Sequence, residues 1–355
     1  MSPERVEGAG ATALASTEQP QVRRARASTP GRGPHDGRAG AIRTAGITGV
    51  GTAVPQRRVA NAELAANLGV DAAWIERRTG IRERRYAATG ERVSDLAIGA
   101  GRRALADARL DGAELDLVLV ATLAPDEITP AVAPLVAHEL GAPAAAAIDV
   151  GAACTGSVAG LAHATAWIES GRARHALVIG SEILSRYIDH DDRRTAPLFG
   201  DGAGALVVSL HAPGRVGPFA FGSDGAAAEM IRITRERGVL EMEGHETFLA
   251  AVRHLCECTE EVVDRAGLAL SDIDLFVYHQ ANSRILAAVA ERLALPEGRV
   301  FDCIAQLGNT SAASVPLALG AAVADGVLRP GARVVLGAIG AGLSWGATVL
   351  TWGDA

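Results

Sequence analysis

The chain contains no lysine: all 34 of its basic residues are arginine. Schiff-base chemistry, a pyridoxal-phosphate anchor and a lysine-bearing phosphate loop all need a side-chain primary amine, so those classes are excluded. Cysteine is scarce, with four in 355 residues. A disulfide scaffold would be smaller and denser in cysteine, so a reducing, cytoplasmic setting is expected. Cys256 and Cys258 stand one residue apart in a helical stretch, a spacing that aims the thiols in different directions and leaves them without metal partners. No apolar run approaches the ~20 residues of a membrane span, and the N-terminus lacks the apolar core of a secretory signal. Positive charge is not in excess either: the net charge of −7 excludes the basic footprint of a nucleic-acid binder. Aromatic residues are few, yet 48% of the chain is apolar, which is ample for a large core.

Residues 1–40 are Ala, Gly, Pro, Thr and Arg with little apolar periodicity. Such a segment buries too little surface to offset its ordering entropy and reads as a flexible extension. From Ile42 the texture changes. A strand is expected over Ile47–Thr52, and Asn61 is expected to cap a helix running to Leu68. A helix follows over Val93–Ala108. Unbroken apolar runs at Leu117–Ala121, Ala147–Val150, Ala176–Gly180 and Ala205–Leu210 alternate with helical patterns at Val132–Leu140 and Ser157–Ser170. Continuous apolar strands separated by helices predict an α/β fold with a parallel sheet covered on both faces.

The order then repeats. Asp116-Leu-Val-Leu-Val resembles Asp274-Leu-Phe-Val-Tyr, and each is followed by a helix, a short strand and a turn of small residues that opens another helix. Those turns are Gly151–Gly156 and Gly308–Ser311, and each copy closes on a further strand, at Ala176 and at Arg333. Two copies of one unit, over residues 41–212 and 213–355, predict a pseudo-symmetric duplication whose site lies where the halves meet.

Three residues at that junction carry chemistry. Cys154, in Asp149-Val-Gly-Ala-Ala-Cys-Thr-Gly-Ser, sits between a buried strand and a helix, where free N–H groups and the helix dipole are expected to favour a thiolate. His279 ends the strand Phe276-Val-Tyr, and Asn309 lies on the turn equivalent to that of Cys154. A Cys, His, Asn set suits acyl transfer, with a thiolate nucleophile and two donors for a developing oxyanion.

The chain from about Ile42 to Trp352 resembles β-ketoacyl-acyl-carrier-protein synthase III, of the thiolase superfamily. The matching stretches are Trp74-Ile-Glu-Arg-Arg-Thr-Gly-Ile-Arg-Glu-Arg-Arg, the Cys154 turn, Phe199-Gly-Asp-Gly-Ala-Gly-Ala, His279-Gln-Ala-Asn-Ser-Arg-Ile, Gly308-Asn-Thr-Ser-Ala-Ala-Ser-Val-Pro and Gly340-Ala-Gly-Leu-Ser-Trp-Gly, all in order. The resemblance implies a thiolase-like, duplicated five-layered αβαβα fold, no metal and no cofactor. It implies that Cys154 takes the acyl group of an acyl-CoA, and that His279 and Asn309 hold the thioester of a malonyl-acyl carrier protein during decarboxylation. Backbone N–H groups of Cys154 and Ala341 would hold the tetrahedral oxyanion.

By the same resemblance Trp74 and Arg193 would sandwich the CoA adenine, while Arg78 and Arg284 would serve the tunnel mouth and the carrier protein. The run Arg77, Arg78, Arg82, Arg84, Arg85 would form a basic patch for an acidic partner. Two positions depart from the family pattern. Leu249 stands where a basic residue is common, with Arg253 one turn on to compensate. Thr129 stands where many relatives carry an aromatic that shortens the acyl pocket, which implies a primer bulkier or longer than acetyl. A homodimer is implied as well. The alternatives are a non-condensing acyltransferase of the same fold and a catalytically silent partner subunit; the intact Cys154, His279 and Asn309 argue for condensation.

Overall fold

The unbroken apolar runs become strands of two sheets, because a strand covered on both faces has no polar side to show. The structure, a computed structural model, describes residues 43–353; the extension expected over residues 1–40 lies outside them. One sheet has five strands in the order Ala45–Ala53, Gly202–Leu210, His175–Glu182, Leu117–Ala121 and Ala146–Val150. The other has four, in the order Gly214–Ser223, Ser344–Trp352, Ala332–Gly340 and Leu275–Tyr278. Numbered within its own half, each sheet runs first, fifth, fourth, second. The third strand of the second half shrinks to a single bridge between Phe276 and Val300.

Strand directions also match between the sheets. The two pairings at the first-strand side are antiparallel and the next is parallel, in both halves. The sheets are therefore mixed, not parallel as the apolar runs suggested. Those runs report burial on both faces, and burial does not fix strand direction.

Three apolar clusters separate the layers. Helices Gly156–Glu169 and Ser314–Ala324 lie between the sheets, with Leu117, Leu119, Val178 and Leu206 against them from one side and Val277, Val334, Leu336 and Leu350 from the other. The alternate residues of the same strands face outward. Val118, Val120, Leu177 and Ile179 meet helices Val93–Ala108 and Val132–Glu139. Phe276, Tyr278, Val335 and Val349 meet helices Gly244–Arg265 and Ser283–Arg292. The period of two along each strand thus serves two cores at once, and the layers stack as αβαβα.

Helix Asn61–Leu68 begins one residue earlier than expected, with Ala60 at the cap position. Asn61 is buried instead. Its amide donates to the Ile81 carbonyl at 2.6 Å and its Oδ1 accepts from Arg84 at 2.9 Å.

The two central helices each open from a short turn, 153–155 in one half and 311–313 in the other. Each turn starts on a non-glycine residue in the left-handed region, Ala153 at φ 44° and Ser311 at φ 50°, a conformation kept only where surrounding packing enforces it. Part of that packing is the bare backbone of Gly180, since a Cβ there would lie 2.1 Å from the Ala312 carbonyl oxygen. Gly180→Ala should therefore push the 311–313 turn away, lowering stability by roughly 1–3 kcal/mol. Thermal melting read beside activity checks this, and activity should fall further than the melting shift explains.

Candidate active site

Cys154 occupies the turn between strand Ala146–Val150 and helix Gly156–Glu169. Its thiol is partly exposed to a cavity. Strand Ala332–Gly340 ends directly against it: a Cβ on Gly340 would come within 2.7 Å of the Cys154 backbone nitrogen. Ala341 follows at once, so the two chain segments expected to supply oxyanion donors are in contact. The electrostatics differ from expectation. Burial pushes the Cys154 thiol up to about 11, the neighbouring Ser311 hydroxyl opposes this, and the charge of Glu182 adds to it. Loss of water outweighs the favourable helix end, so Cys154 rests as a thiol.

His279 lies one residue beyond strand Leu275–Tyr278, and its backbone N–H donates to the Gly337 carbonyl at 2.7 Å. The imidazole is buried, and burial lowers its pKa to about 4. It is therefore neutral at physiological pH and carries one N–H. Nδ1 has no hydrogen-bond partner among the described residues.

Asn309 is fixed from three sides. Its N–H donates to the Leu198 carbonyl at 2.8 Å, and its carbonyl accepts from Gly200 at 2.9 Å. Its side-chain Oδ1 accepts the Ser311 N–H at 2.9 Å. With the carbonyl end of the amide occupied, the Nδ2 donors are left for a ligand. The 197–200 segment is held in turn by Arg84, fully buried, which donates to the Pro197 carbonyl at 2.8 Å, to Val59 O at 3.1 Å and to Asn61 Oδ1.

Cys154, His279, Asn309 and Ala341 line one cavity of about 680 Å³, and Trp74, Arg78, Arg193 and Arg284 line it too. Its walls are otherwise mostly apolar, from Leu123, Leu198, Phe199, Leu240 and Phe248 among others. Arg78 lies over the Trp74 ring, 5.4 Å from its centroid, and Arg284 over Phe248 at 5.7 Å. Arg193 donates to the Leu68 and Gly69 carbonyls at the end of helix Asn61–Leu68.

Three expectations are corrected. Thr129 is exposed and is not among the residues that line this chain's cavity. The arginine run is not a patch. Helix and strand geometry turn its members apart: Arg77 pairs with Asp71, Arg82 with Glu76, Arg84 is in the core and Arg85 binds Pro55 O. Among the described residues, Arg78 and Arg284 alone of the arginines singled out for a carrier protein remain at the cavity without a carboxylate partner. Finally, Arg253 does not stand in for Leu249: its guanidinium contacts His254 at 2.7 Å, and it is not part of the cavity wall.

Sequence reasoning also missed two residues. Ser311 sits between the thiol and Glu182, and its hydroxyl donates to Glu182 Oε1 at 3.0 Å. Ser311 was visible in Gly-Asn-Thr-Ser; Glu182 was visible only as a lone carboxylate ending an apolar strand. Among the described residues no group of three or more His, Cys, Asp or Glu side chains is arranged to hold a metal ion.

The neutral buried His279 makes stability pH-dependent. Its folded pKa, about 4, lies below the usual 6.5, so between those values the unfolded chain binds a proton that the folded chain does not. Stability is then lost as pH falls from 6.5 towards 4, by up to about 3 kcal/mol at this residue. His279→Gln should lose less melting temperature than wild type between pH 6.5 and 4.5; parallel curves would contradict the assignment.

Comparison with known proteins gives one consistent result. A family model described as 3-oxoacyl-[acyl-carrier-protein (ACP)] synthase III matches residues 148–243, and the model of its C-terminal part matches residues 263–352. The chain is 45% identical over 323 residues to "beta-ketoacyl-[acyl-carrier-protein] synthase III 3" of Streptomyces coelicolor, covering 86% of this chain and 96% of that protein. It is 41% identical over 310 residues to the synthase III of Bacillus pumilus, covering 87% and 99%. Among solved structures, the synthase III of Aquifex aeolicus superposes with a TM-score of 0.85 at 39% identity, covering 87% of this chain and all of that one. The priming β-ketosynthase of the R1128 polyketide pathway gives 0.86 at 38% identity, covering 89% and 98%. Cys154, His279 and Asn309 stand on the fold that these proteins share, and the chain belongs to the 3-oxoacyl-[acyl-carrier-protein] synthase III family.

Proposed function

We propose that the chain runs a decarboxylative Claisen condensation through an acyl-Cys154 intermediate, joining the acyl group of an acyl-CoA to a malonyl-acyl carrier protein. Family membership makes it an acyltransferase of the β-ketoacyl-ACP synthase III type, working in fatty acid or polyketide synthesis. The observation that carries the residue assignments is the convergence of Cys154, His279 and Asn309 on one cavity, with Asn309 locked so that its amide donors are free.

Cys154 Sγ attacks the acyl-CoA carbonyl, and the backbone N–H groups of Cys154 and Ala341 take the oxyanion charge. CoA leaves, and the malonyl thioester enters with its carbonyl oxygen on His279 and Asn309. As CO2 departs, the electron pair of the broken bond becomes an enolate whose oxygen those two donors hold. The enolate carbon attacks the acyl-Cys154 carbonyl, the thiolate leaves, and a 3-oxoacyl-carrier protein forms. Every electron pair comes from Cys154 Sγ, the two thioesters and the malonyl carboxylate, so the reaction as written uses no cofactor. A neutral His279 suits this role, because it donates to the enolate without adding a buried charge.

The CoA adenine would lie between Trp74 and Arg193, a stacking use that suits a guanidinium. Arg78 and Arg284, unpaired at the cavity, would meet the acidic surface of the carrier protein. We read residues 41–212 and 213–355 as the two copies of the duplicated unit, residues 1–40 as an extension, the assembly as a homodimer and the setting as cytoplasmic. The four free cysteines fit that setting. Among the described residues no helix is long and apolar enough to cross a membrane.

Intact-protein mass spectrometry with a panel of acyl-CoAs and a malonyl-carrier protein tests this directly. One acyl mass should appear on the enzyme and vanish in Cys154→Ala, and the carrier should become a 3-oxoacyl species after losing CO2. An acylated enzyme beside an unchanged malonyl-carrier would replace condensation with plain acyl transfer. Asn309→Ala should slow decarboxylation by about 100-fold, the worth of one donor on a developing oxyanion. Arg78→Glu and Arg284→Glu should raise KM for the carrier substrate far more than they lower kcat; an unchanged KM would remove both from docking.

A further inference from the structure

Glu182 ends strand His175–Glu182 with its carboxyl group fully buried and, among the described residues, no cation beside it. A carboxylate in such a place is costly unless donors surround it. Here the Thr122 hydroxyl donates to Oε2 at 3.1 Å, the Leu123 N–H reaches both oxygens at 3.2 Å, and the Ala312 N–H contributes as well. The fourth donor is the Ser311 hydroxyl, 3.0 Å from Oε1. Ser311 is itself fully buried, and it lines the same cavity as Cys154, close enough for its hydroxyl to act on the thiol. The Ser311 hydroxyl therefore stands beside the thiol with its proton already directed at the carboxylate.

The geometry points to Glu182 as the residue that takes the Cys154 proton and returns it, acting through the Ser311 hydroxyl. This rests on Cys154 being the acyl carrier. As Sγ bonds to the acyl-CoA carbonyl carbon, its proton passes to Ser311 Oγ while the serine proton passes to Glu182 Oε1, and the carbonyl π pair moves to oxygen. When the carbonyl re-forms and the C–S bond to CoA breaks, Glu182 returns its proton to Ser311. The serine proton then goes to the departing sulfur, so CoA leaves as a thiol and Glu182 is again a carboxylate. Nothing is oxidised or reduced, and once Glu182 is ionised the buried site holds one negative charge before and after.

The other titratable group beside the thiol is His279, and it is poorly suited to this task. Burial keeps it a weak base, with a pKa of about 4, and among the described residues Nδ1 has no partner that could relay a proton. Burial moves Glu182 the opposite way, to about 8, which makes it a far stronger base than an ordinary carboxylate. Glu182 is thus a positioning residue for the proton and does not touch the acyl group.

The experiment is rapid-quench formation of the acyl-enzyme from acetyl-CoA and from butyryl-CoA, read by intact mass between pH 6 and 10. Wild type should rise with pH and level off near pH 8, where Glu182 ionises. Glu182→Gln and Ser311→Ala should each be about 100-fold slower at pH 8. Both should keep rising by about tenfold per pH unit up to pH 10, since the thiol must then ionise unaided. The double variant should be no slower than either single one, and Glu182→Asp should recover part of the plateau. Should Glu182→Gln fail to fold, Ser311→Ala decides alone. Wild-type rates in either variant, or slower rates with an unchanged pH profile, would overturn the relay in favour of a structural role. No acyl-enzyme from wild type with either CoA ester would instead overturn the acyl-Cys154 reading, and the relay with it.

Discussion

The site depends on how closely two helix-opening turns approach each other. Turn 153–155 brings Cys154, turn 311–313 brings Ser311 and fixes Asn309, and both are forced into left-handed backbone at their first residue. The approach is possible because strand positions beside the turns carry no side chain. Gly180 faces the second turn and Gly340 faces the first, each within a distance that no Cβ could share. Duplication of one unit supplies both turns, but only one received a thiol. The position equivalent to Cys154 is Ala312, whose N–H serves Glu182. One scaffold, used twice, thus places a thiol on one side and hydrogen-bond donors on the other.

Burial then sets the charge states. The thiol and the carboxyl are both pushed towards their protonated forms, and the imidazole towards its unprotonated one. All three shifts favour neutrality, as expected where water is scarce. The permanent cations, Arg78, Arg193 and Arg284, stay exposed where the cavity meets solvent.

Much of this was legible in the sequence. Leu117–Ala121 and Val93–Ala108 appear with the bounds their patterning predicts, because long apolar periodicity dominates local alternatives. Cys154, His279 and Asn309 were legible because each ends a strand or opens a helix, and the repeat made those ends equivalent. The arginine run misled because neighbours in sequence point to different places once a helix turn and a strand separate them. Thr129 misled because a loop position says nothing of which cavity it faces. Strand direction, and the link from Glu182 to a turn 129 residues away, depend on tertiary pairing alone and leave no local trace.

Arg84 adds a last consequence. Its buried guanidinium spans from the Val59 carbonyl to the Pro197 carbonyl, and Pro197 leads directly into the segment that anchors Asn309. Although burial lowers its pKa, a guanidinium keeps its proton throughout the range in which proteins stay folded, whereas an ammonium at the same depth could lose one. The mount of the asparagine is therefore indifferent to acidity while the groups it serves are not. In a chain without lysine, a protonation change can alter the reaction without loosening the frame that aims it.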